Sequence, residues 1–132
     1  MSNDRRRMMT RKTATGTLEE YYNLMDSIDW KSPAGMTSNC CSHYDIIGVA
    51  ETDTHQVVAL IYSEYTTRNF VTPIYTYDDG TSEGNYGTPT SGVSLLDAIK
   101  NFNKDILDSR QYGSKLGIIT NIIMRNGERY TV

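Results

Sequence analysis

Residues 44–51 read Tyr-Asp-Ile-Ile-Gly-Val-Ala-Glu, and residues 56–62 read Gln-Val-Val-Ala-Leu-Ile-Tyr. Both runs are rich in Ile and Val, which strands favour, and only four polar residues, 52–55, lie between them. Two such runs with a short polar connection indicate a β-hairpin with a four-residue turn. We therefore predict a hairpin over 44–62 and build the rest of the sheet outward from it.

A third strand and a second hairpin extend the predicted sheet. Residues 69–77 follow the first hairpin, and their Pro73 has no N–H to donate to a ladder, which predicts an edge strand or a bulge. Later in the chain, residues 116–124 and 128–132 flank Asn126-Gly127. Asn-Gly is the preferred dipeptide of a type I′ turn, so this pair of runs predicts a second hairpin.

Two amphipathic helices complete the predicted fold. Over residues 17–29, Thr17 and Glu20 form a capping-box pattern, and apolar residues then recur at helical spacing. A second helix begins at Ser94, whose spacing to Asp97 is also typical of a cap. The apolar stripe of the first helix is Leu18, Tyr21, Met25 and Ile28, and that of the second is Leu95, Leu96, Ile99, Phe102, Ile106 and Leu107.

The element order is therefore α-β-β-β-α-β-β. We predict an α+β domain of two layers, in which both helices cover one face of about five mostly antiparallel strands. At 132 residues the chain is long enough for one domain only.

Charge is distributed unevenly between the N-terminus and the rest of the chain. The first twelve residues hold five Arg or Lys and one Asp, whereas the other 120 hold eight basic and fifteen acidic residues, a net charge of −7. We predict a flexible basic arm over 1–16 and a single domain over 17–132. No secretory signal or membrane-length apolar run is present, so we expect a cytoplasmic protein without membrane contact. The acidic domain leaves the arm as the only expected nucleic-acid contact.

Residues 78–92 contain four glycines, one proline and almost no apolar side chain. This composition predicts a loop of fifteen residues, which is unusually long for a compact domain. Loops of this length are commonly functional, so the segment is the leading candidate for a binding loop.

Catalytic and metal-binding patterns fail on inspection. Residues 80–84 match G-x-S-x-G, but that motif needs a later histidine, and both His43 and His55 precede it. Cys40 and Cys41 have no second ligand pair for zinc, and the acids beside His55 have the spacing of an ordinary polar turn. Phosphate-binding motifs are also missing from the sequence. We therefore predict no catalytic residues, metal or cofactor.

No catalytic, metal-binding or phosphate-binding motif is matched in full, and the domain is acidic. Both features favour a non-catalytic interaction protein that docks on another macromolecule and modulates or inhibits it. Small domains of this type are common among phage and mobile-element accessory proteins. A basic protein partner would meet the acids of the first helix, which are Glu19, Glu20, Asp26 and Asp29. Association of two exposed 69–77 edges would give a homo-oligomer, which Pro73 opposes.

The alternative hypothesis is a module that binds a small, nucleotide-like ligand under the 78–92 loop. Ten tyrosines are present, and tyrosine is common in recognition surfaces. We assign Tyr44, Tyr62 and Tyr130 to the sheet as structural residues. Tyr77 or Tyr86 would stack on the base, and Asn85 would supply an amide. Arg68 or Arg110 would bind the phosphate.

Overall fold

The computed structural model describes residues 11–13, 16–27, 29–31, 44–64, 66–77, 82–85, 90–110 and 116–132. Its elements in chain order are β1 (Arg11–Thr13), α1 (Leu18–Asn23), a 3-10 turn (Met25–Ser27), β2 (Asp29–Lys31), β3 (Tyr44–Thr52), β4 (Val57–Ser63), β5 (Arg68–Tyr77), β6 (Ser82–Asn85), β7 (Thr90–Gly92), α2 (Leu95–Arg110), β8 (Ile119–Met124) and β9 (Arg129–Thr131). The chain has the predicted α+β fold. Neither of the two helices in the described part of the chain is long and apolar enough to cross a membrane.

The strands form one sheet in the order β2-β6-β5-β4-β3-β8-β9, and β1 and β7 also pair with β5. All pairs are antiparallel except β2 with β6, which is parallel. The predicted hairpin over 44–62 is confirmed as β3–β4 at the centre of the sheet. The second predicted hairpin is confirmed as β8–β9, and it places β9 at one edge.

The two helices lie on opposite faces of the sheet, so the prediction that both cover one face is wrong. Alternate residues of β4 enter different cores because successive side chains of a strand point to opposite faces. Val57, Ala59 and Ile61 pack in a cluster with the apolar side of α1. Val58 and Leu60 pack in a second cluster with the apolar side of α2. An uninterrupted apolar strand is typical of a sheet covered on both faces, which gives three layers here.

Strand β5 lies inside the sheet, so the predicted exposed edge at 69–77 is wrong. Its first part pairs with β4 and with β7, and its last part pairs with β1 and β6. Pro73 lies opposite Val58 of β4, between the residues that pair with β7 and those that pair with β1 and β6. A proline is tolerated at such an interruption because fewer ladder bonds need its N–H.

The glycine-rich segment 78–92 is not one long loop. Residues 82–85 form β6, which pairs with β5 on one side and β2 on the other, and residues 90–92 form β7. Long-range pairing supplies the order that local composition does not show. Strand β1 lies within the segment 1–16, where we predicted an arm, and pairs with the end of β5.

The first helix is shorter than the predicted 17–29. Thr17 caps it as expected, since its Oγ1 accepts a hydrogen bond from the Glu20 N–H at 3.2 Å. The helix ends at Asn23, and the chain continues through the 3-10 turn into β2, which begins at Asp29. Parallel pairing of β2 with β6 holds this segment extended, and helical periodicity cannot reveal such a contact.

The predicted second helix is confirmed as α2. Ser94 Oγ accepts a hydrogen bond from the Asp97 N–H at 3.1 Å, as a helix cap requires. Asn103 fixes the middle of the helix to β8, because its amide donates to Ile119 O at 3.3 Å and accepts from Ile119 N–H at 2.7 Å.

The β8–β9 turn differs in type from the predicted I′ turn. Among non-glycine residues that the structure describes, only His55 and Thr67 have positive φ, so Asn126 does not have the left-handed conformation that a type I′ turn requires. Within this turn only Gly127 has positive φ, at 91°, and its N–H donates to Met124 O at 2.8 Å. This is a three-residue hairpin loop with glycine at the bulge position.

Candidate functional site

A groove of about 620 Å³ opens on the face of the sheet that α2 covers only in part. The helix packs mainly against β7 and β5 and is joined to β8 at Ile119. No element in the described part of the chain covers the outer part of the β8–β9 hairpin on this face. The floor and walls of the groove are Ile47, Leu95, Leu96, Ile99, Ile122, Met124, Arg125, Asn126, Glu128, Tyr130, Thr131 and Val132. Most of these residues are apolar, and the polar ones come from the β8–β9 hairpin.

Large apolar side chains at this groove are unusually exposed. Over the described residues, six large apolar side chains are at least half exposed, and three of them line the groove. These are Leu96 at 56%, Tyr130 at 50% and Val132 at 54% exposure. Exposed apolar side chains that are grouped in this way are typical of a binding surface, whereas single ones are ordinary.

Polar groups are concentrated at one end of the groove. Glu128 Oε1 accepts a hydrogen bond from Asn126 Nδ2 at 3.1 Å, and Glu128 Oε2 accepts a hydrogen bond from the Tyr130 hydroxyl. The hydrogen bond to this carboxylate, helped by its negative charge, raises the pKa of Tyr130 above its usual value. The ring of Tyr130 is therefore held along its own strand, with its apolar part available to a partner.

Strand β9 presents unpaired backbone groups along the outer edge of the sheet. The Met124 N–H donates to Glu128 O, and the Val132 N–H donates to Thr120 O, both at 2.8 Å. The backbone groups of Glu128 and Val132 therefore face β8, as do those of Tyr130 between them, and the backbone groups of Arg129 and Thr131 point away from β8. No other strand in the described part of the chain pairs with this edge.

The hairpin that carries the edge is held firmly against the rest of the fold. Strand β3 has an irregularity between Ile46 and Gly48, where pairing with β4 shifts by one residue. Arg125 contacts this bulge twice, since its N–H donates to Ile47 O and its Nε donates to Ile46 O, both at 2.7 Å. In addition, the Tyr22 hydroxyl of α1 donates to Arg125 O at 2.9 Å. The hairpin is thus joined to both β3 and α1.

Two of the four acids predicted to bind a partner are used inside the molecule. Glu19 Oε1 accepts from Arg129 Nη1 at 2.7 Å, and Asp26 Oδ1 accepts from Arg125 Nη1 at 2.8 Å. The hydrogen bond from Arg129 lowers the pKa of Glu19. Glu20 is exposed on α1, while Asp29 lies in β2 and its side chain is outside the described part. The structure therefore does not gather these acids into one free acidic face.

The residues of the nucleotide hypothesis are spread over the fold. Arg68 and Tyr77 occupy the two ends of the ten-residue strand β5, roughly 30 Å apart at about 3.3 Å per residue. One nucleotide cannot contact both. Arg68 Nε instead donates to Ser91 Oγ at 3.3 Å. Asn85 ends β6 and Arg110 ends α2, with their side chains outside the described part, and Tyr86 lies outside it altogether.

The turn after β3 is a closed hydrogen-bond network. Asp53 Oδ1 accepts from the Ile118 N–H at 3.1 Å, and Gln56 Oε1 accepts from the Gly117 N–H at 3.1 Å and from Thr54 Oγ1 at 2.7 Å. These groups fix the turn to the segment before β8. No group of three His, Cys, Asp or Glu side chains in the described part is arranged to hold a metal. His43, Cys40 and Cys41 lie outside it.

Comparisons with known proteins find no relative from which a function can be inferred: no family model matches, and neither the curated proteins nor the solved structures give a significant match. The site must therefore be interpreted from its own geometry.

Sequence reasoning missed the residues that matter most at this surface. Tyr130 was assigned a structural role in the sheet, but half of its side chain is exposed. The sequence pattern does not single out Arg125, although its side chain joins the hairpin to the bulge of β3. The available signal was the three apolar or aromatic residues Ile122, Met124 and Tyr130 at alternating positions of one hairpin face, next to a sheet edge.

Replacing Arg125 by alanine is expected to lower the free energy of unfolding by about 1–3 kcal/mol, because the half-buried Ile46 carbonyl loses its charged donor. Chemical denaturation measures the change. Arg129→Ala is the matched control, since its side-chain partner, Glu19, is on the surface and exposed ion pairs contribute little. Equal losses for the two variants would contradict the role given to Arg125.

Proposed function

We propose that this protein is a non-catalytic protein-interaction domain that binds a polypeptide partner at the β9 edge and the adjoining groove. The partner adds a strand to β9 and places apolar side chains in the groove. The observation that carries the proposal is that the outward backbone groups of Arg129 and Thr131, with which no described strand pairs, border an open apolar groove of about 620 Å³. Strand addition uses both features, since the backbone supplies affinity and the pockets supply specificity.

The geometry of the hairpin supports this mode of binding. An edge strand must keep its position before the partner arrives, because ordering it on binding would reduce affinity. The contacts of Arg125 to β3 and of Tyr22 to the turn hold the hairpin in place beforehand. The exposed side chains of Leu96, Tyr130 and Val132 would lose water on binding, which is favourable for apolar surface.

The partner's identity as a polypeptide follows from the backbone groups. A small apolar ligand would fill the groove but would leave the N–H and C=O groups of β9 in water. An extended chain satisfies both at once. Docking of this kind would modulate the partner, because the partner's segment that pairs with β9 could not pair with another protein at the same time.

Site-specific photocrosslinking in the producing cells tests this proposal. A benzophenone amino acid replaces Leu96 on the groove wall, or Leu107 on the same helix outside the groove, where the exposure is similar. We expect protein adducts from position 96 and a loss of at least about tenfold when Thr131→Pro removes the outward N–H of β9. Thr131→Val keeps this N–H and is expected to keep the adducts.

Adducts of equal yield at positions 96 and 107 would contradict a specific site. Adducts at 96 that persist in the Thr131→Pro variant would contradict strand addition. Circular dichroism and thermal unfolding of the purified variants test whether the Thr131→Pro domain is still folded.

A further inference from the structure

We infer that the polypeptide added to β9 is the β9 strand of a second copy of this chain, with a two-fold axis at Tyr130. This inference rests on the proposed function and specifies its partner. The resulting homodimer has one continuous sheet across both copies, with the two grooves next to each other on the same face.

The backbone of β9 is self-complementary in this register. With Tyr130 opposite its own symmetry mate, Arg129 lies opposite Thr131 of the second copy and Thr131 opposite its Arg129. These are the residues whose N–H and C=O groups point away from β8, so each antiparallel pair exchanges two hydrogen bonds. Four hydrogen bonds then satisfy all the backbone groups that the two edges leave open at these positions.

The side chains of the groove face also favour this register. Tyr130 pairs with Ile122 of β8 and therefore points to the same face as the groove floor. The two tyrosines occupy a non-hydrogen-bonded pair, in which side chains of opposed residues approach closest. Paired aromatic side chains at such positions are favourable, and the half-exposed ring of Tyr130 loses water in both copies at once.

Charge disfavours the neighbouring register that has its two-fold axis at Arg129, and it permits the register with the axis at Tyr130. A two-fold axis at Arg129 would place two guanidinium groups opposite each other, and like charges so placed are destabilising. With the axis at Tyr130, each Arg129 faces a neutral threonine. Each Arg129 is also paired with Glu19 of its own chain, which reduces repulsion between the edges. The net charge of −3 per chain adds only a weak long-range repulsion.

Strand pairing over three residues is too small for a stable dimer by itself, because stable interfaces bury roughly 1,200–2,000 Å² in total. The exposed apolar residues on the groove face beside β9 supply additional area in both copies. Tyr130 is therefore expected to dominate the affinity, as central aromatic residues commonly do in interfaces.

Sedimentation velocity of the purified full chain tests the inference directly. The expected mass is twice the 14.9 kDa of one chain. Tyr130→Lys places two cations on the two-fold axis and is expected to raise the dissociation constant of the dimer by about 30-fold or more. Leu107→Lys changes an equally exposed apolar residue of α2 outside the groove and is expected to leave the dimer intact.

A cysteine pair identifies the register. In a background with Cys40→Ser and Cys41→Ser, Tyr130→Cys is expected to give an interchain disulfide on mild oxidation, because non-hydrogen-bonded antiparallel partners lie about 4.5 Å apart at Cα. Thr131→Cys, one residue away, faces Arg129 in the second copy and is expected to stay monomeric on a non-reducing gel. Equal crosslinking at both positions would overturn the register.

A monomeric mass at several hundred micromolar protein would overturn the dimer. In that case, adducts from position 96 to a different protein, lost with Thr131→Pro, would still support the proposed function. A dimer that Tyr130→Lys does not weaken would overturn the inference, because the contact between copies would then lie elsewhere.

Discussion

Leu60→Ala and Ile61→Ala are each expected to lower the free energy of unfolding by about 2–5 kcal/mol. The two residues are neighbours on β4, and each is 0% exposed. Leu60 packs in the cluster with α2, and Ile61 packs in the cluster with α1. In a sheet covered on one face only, one of two neighbours would point to solvent and its truncation would have little effect. Because the sheet has a core on each face, we expect the two variants to lose comparable amounts of unfolding free energy.

Urea denaturation measures both losses, and Leu107→Ala provides the control because this residue of α2 is more than half exposed. The expected change for this control is below about 0.5 kcal/mol. A large loss at one of the two β4 positions with a negligible loss at the other would contradict the three-layer arrangement. If a variant is too unstable to purify, Leu60→Met and Ile61→Val retain most of the volume and give smaller losses for the same comparison.

Gly92→Ala is expected to destabilise the domain by about 3 kcal/mol, through overpacking. A Cβ atom at this position would lie 2.3 Å from Ala98 N and 2.7 Å from Asp97 C, both in the backbone of α2. Backbone atoms of a helix cannot move aside individually, so the first turns of α2 would have to shift away from β7. Thermal unfolding followed by circular dichroism measures the loss.

Val93→Ala is the matched control for Gly92→Ala, because the next residue along the chain is 71% exposed and its truncation removes few contacts. Stability of Gly92→Ala equal to that of the native chain would contradict the close approach of β7 and α2. Because Leu95 and Leu96 lie on the same turns of α2, the shift is also expected to weaken whatever binds the groove.

Different residues of the β8–β9 hairpin attach it to the fold and form the candidate binding edge. Arg125 at the turn contacts β3 and Tyr22 of α1, whereas no strand in the described part of the chain pairs with the outward backbone groups of Arg129 and Thr131. The same short segment is thus both anchored and available. Asp26 and Glu19 form exposed ion pairs with these two arginines, so two of the four acids predicted to bind a partner are already engaged within the molecule.

The local sequence pattern was sufficient to predict most of the helices and strands. The hairpin over 44–62, the helix that begins after Ser94 and the hairpin around Gly127 were all predicted, because β-branched runs, caps and turn glycines act over a few residues. The shortened first helix, β6 and β7 were not predicted. Each of these depends on pairing with residues far along the chain, such as Asp29 with Glu83 and Phe70 with Ser91.

The amino-acid sequence by itself determined that this chain is an α+β domain with two hairpins and a capped α2. Only the tertiary structure decided that the helices lie on opposite faces, that no described strand pairs with the outer edge of β9 and that Tyr130 and Leu96 line the same groove. The physical reason is that sequence patterns report local interactions, whereas these features depend on contacts between distant parts of the chain. Periodicity records which side of an element is apolar, whereas the element that covers that side is set by long-range strand pairing and by bridges such as Arg125 to Ile46.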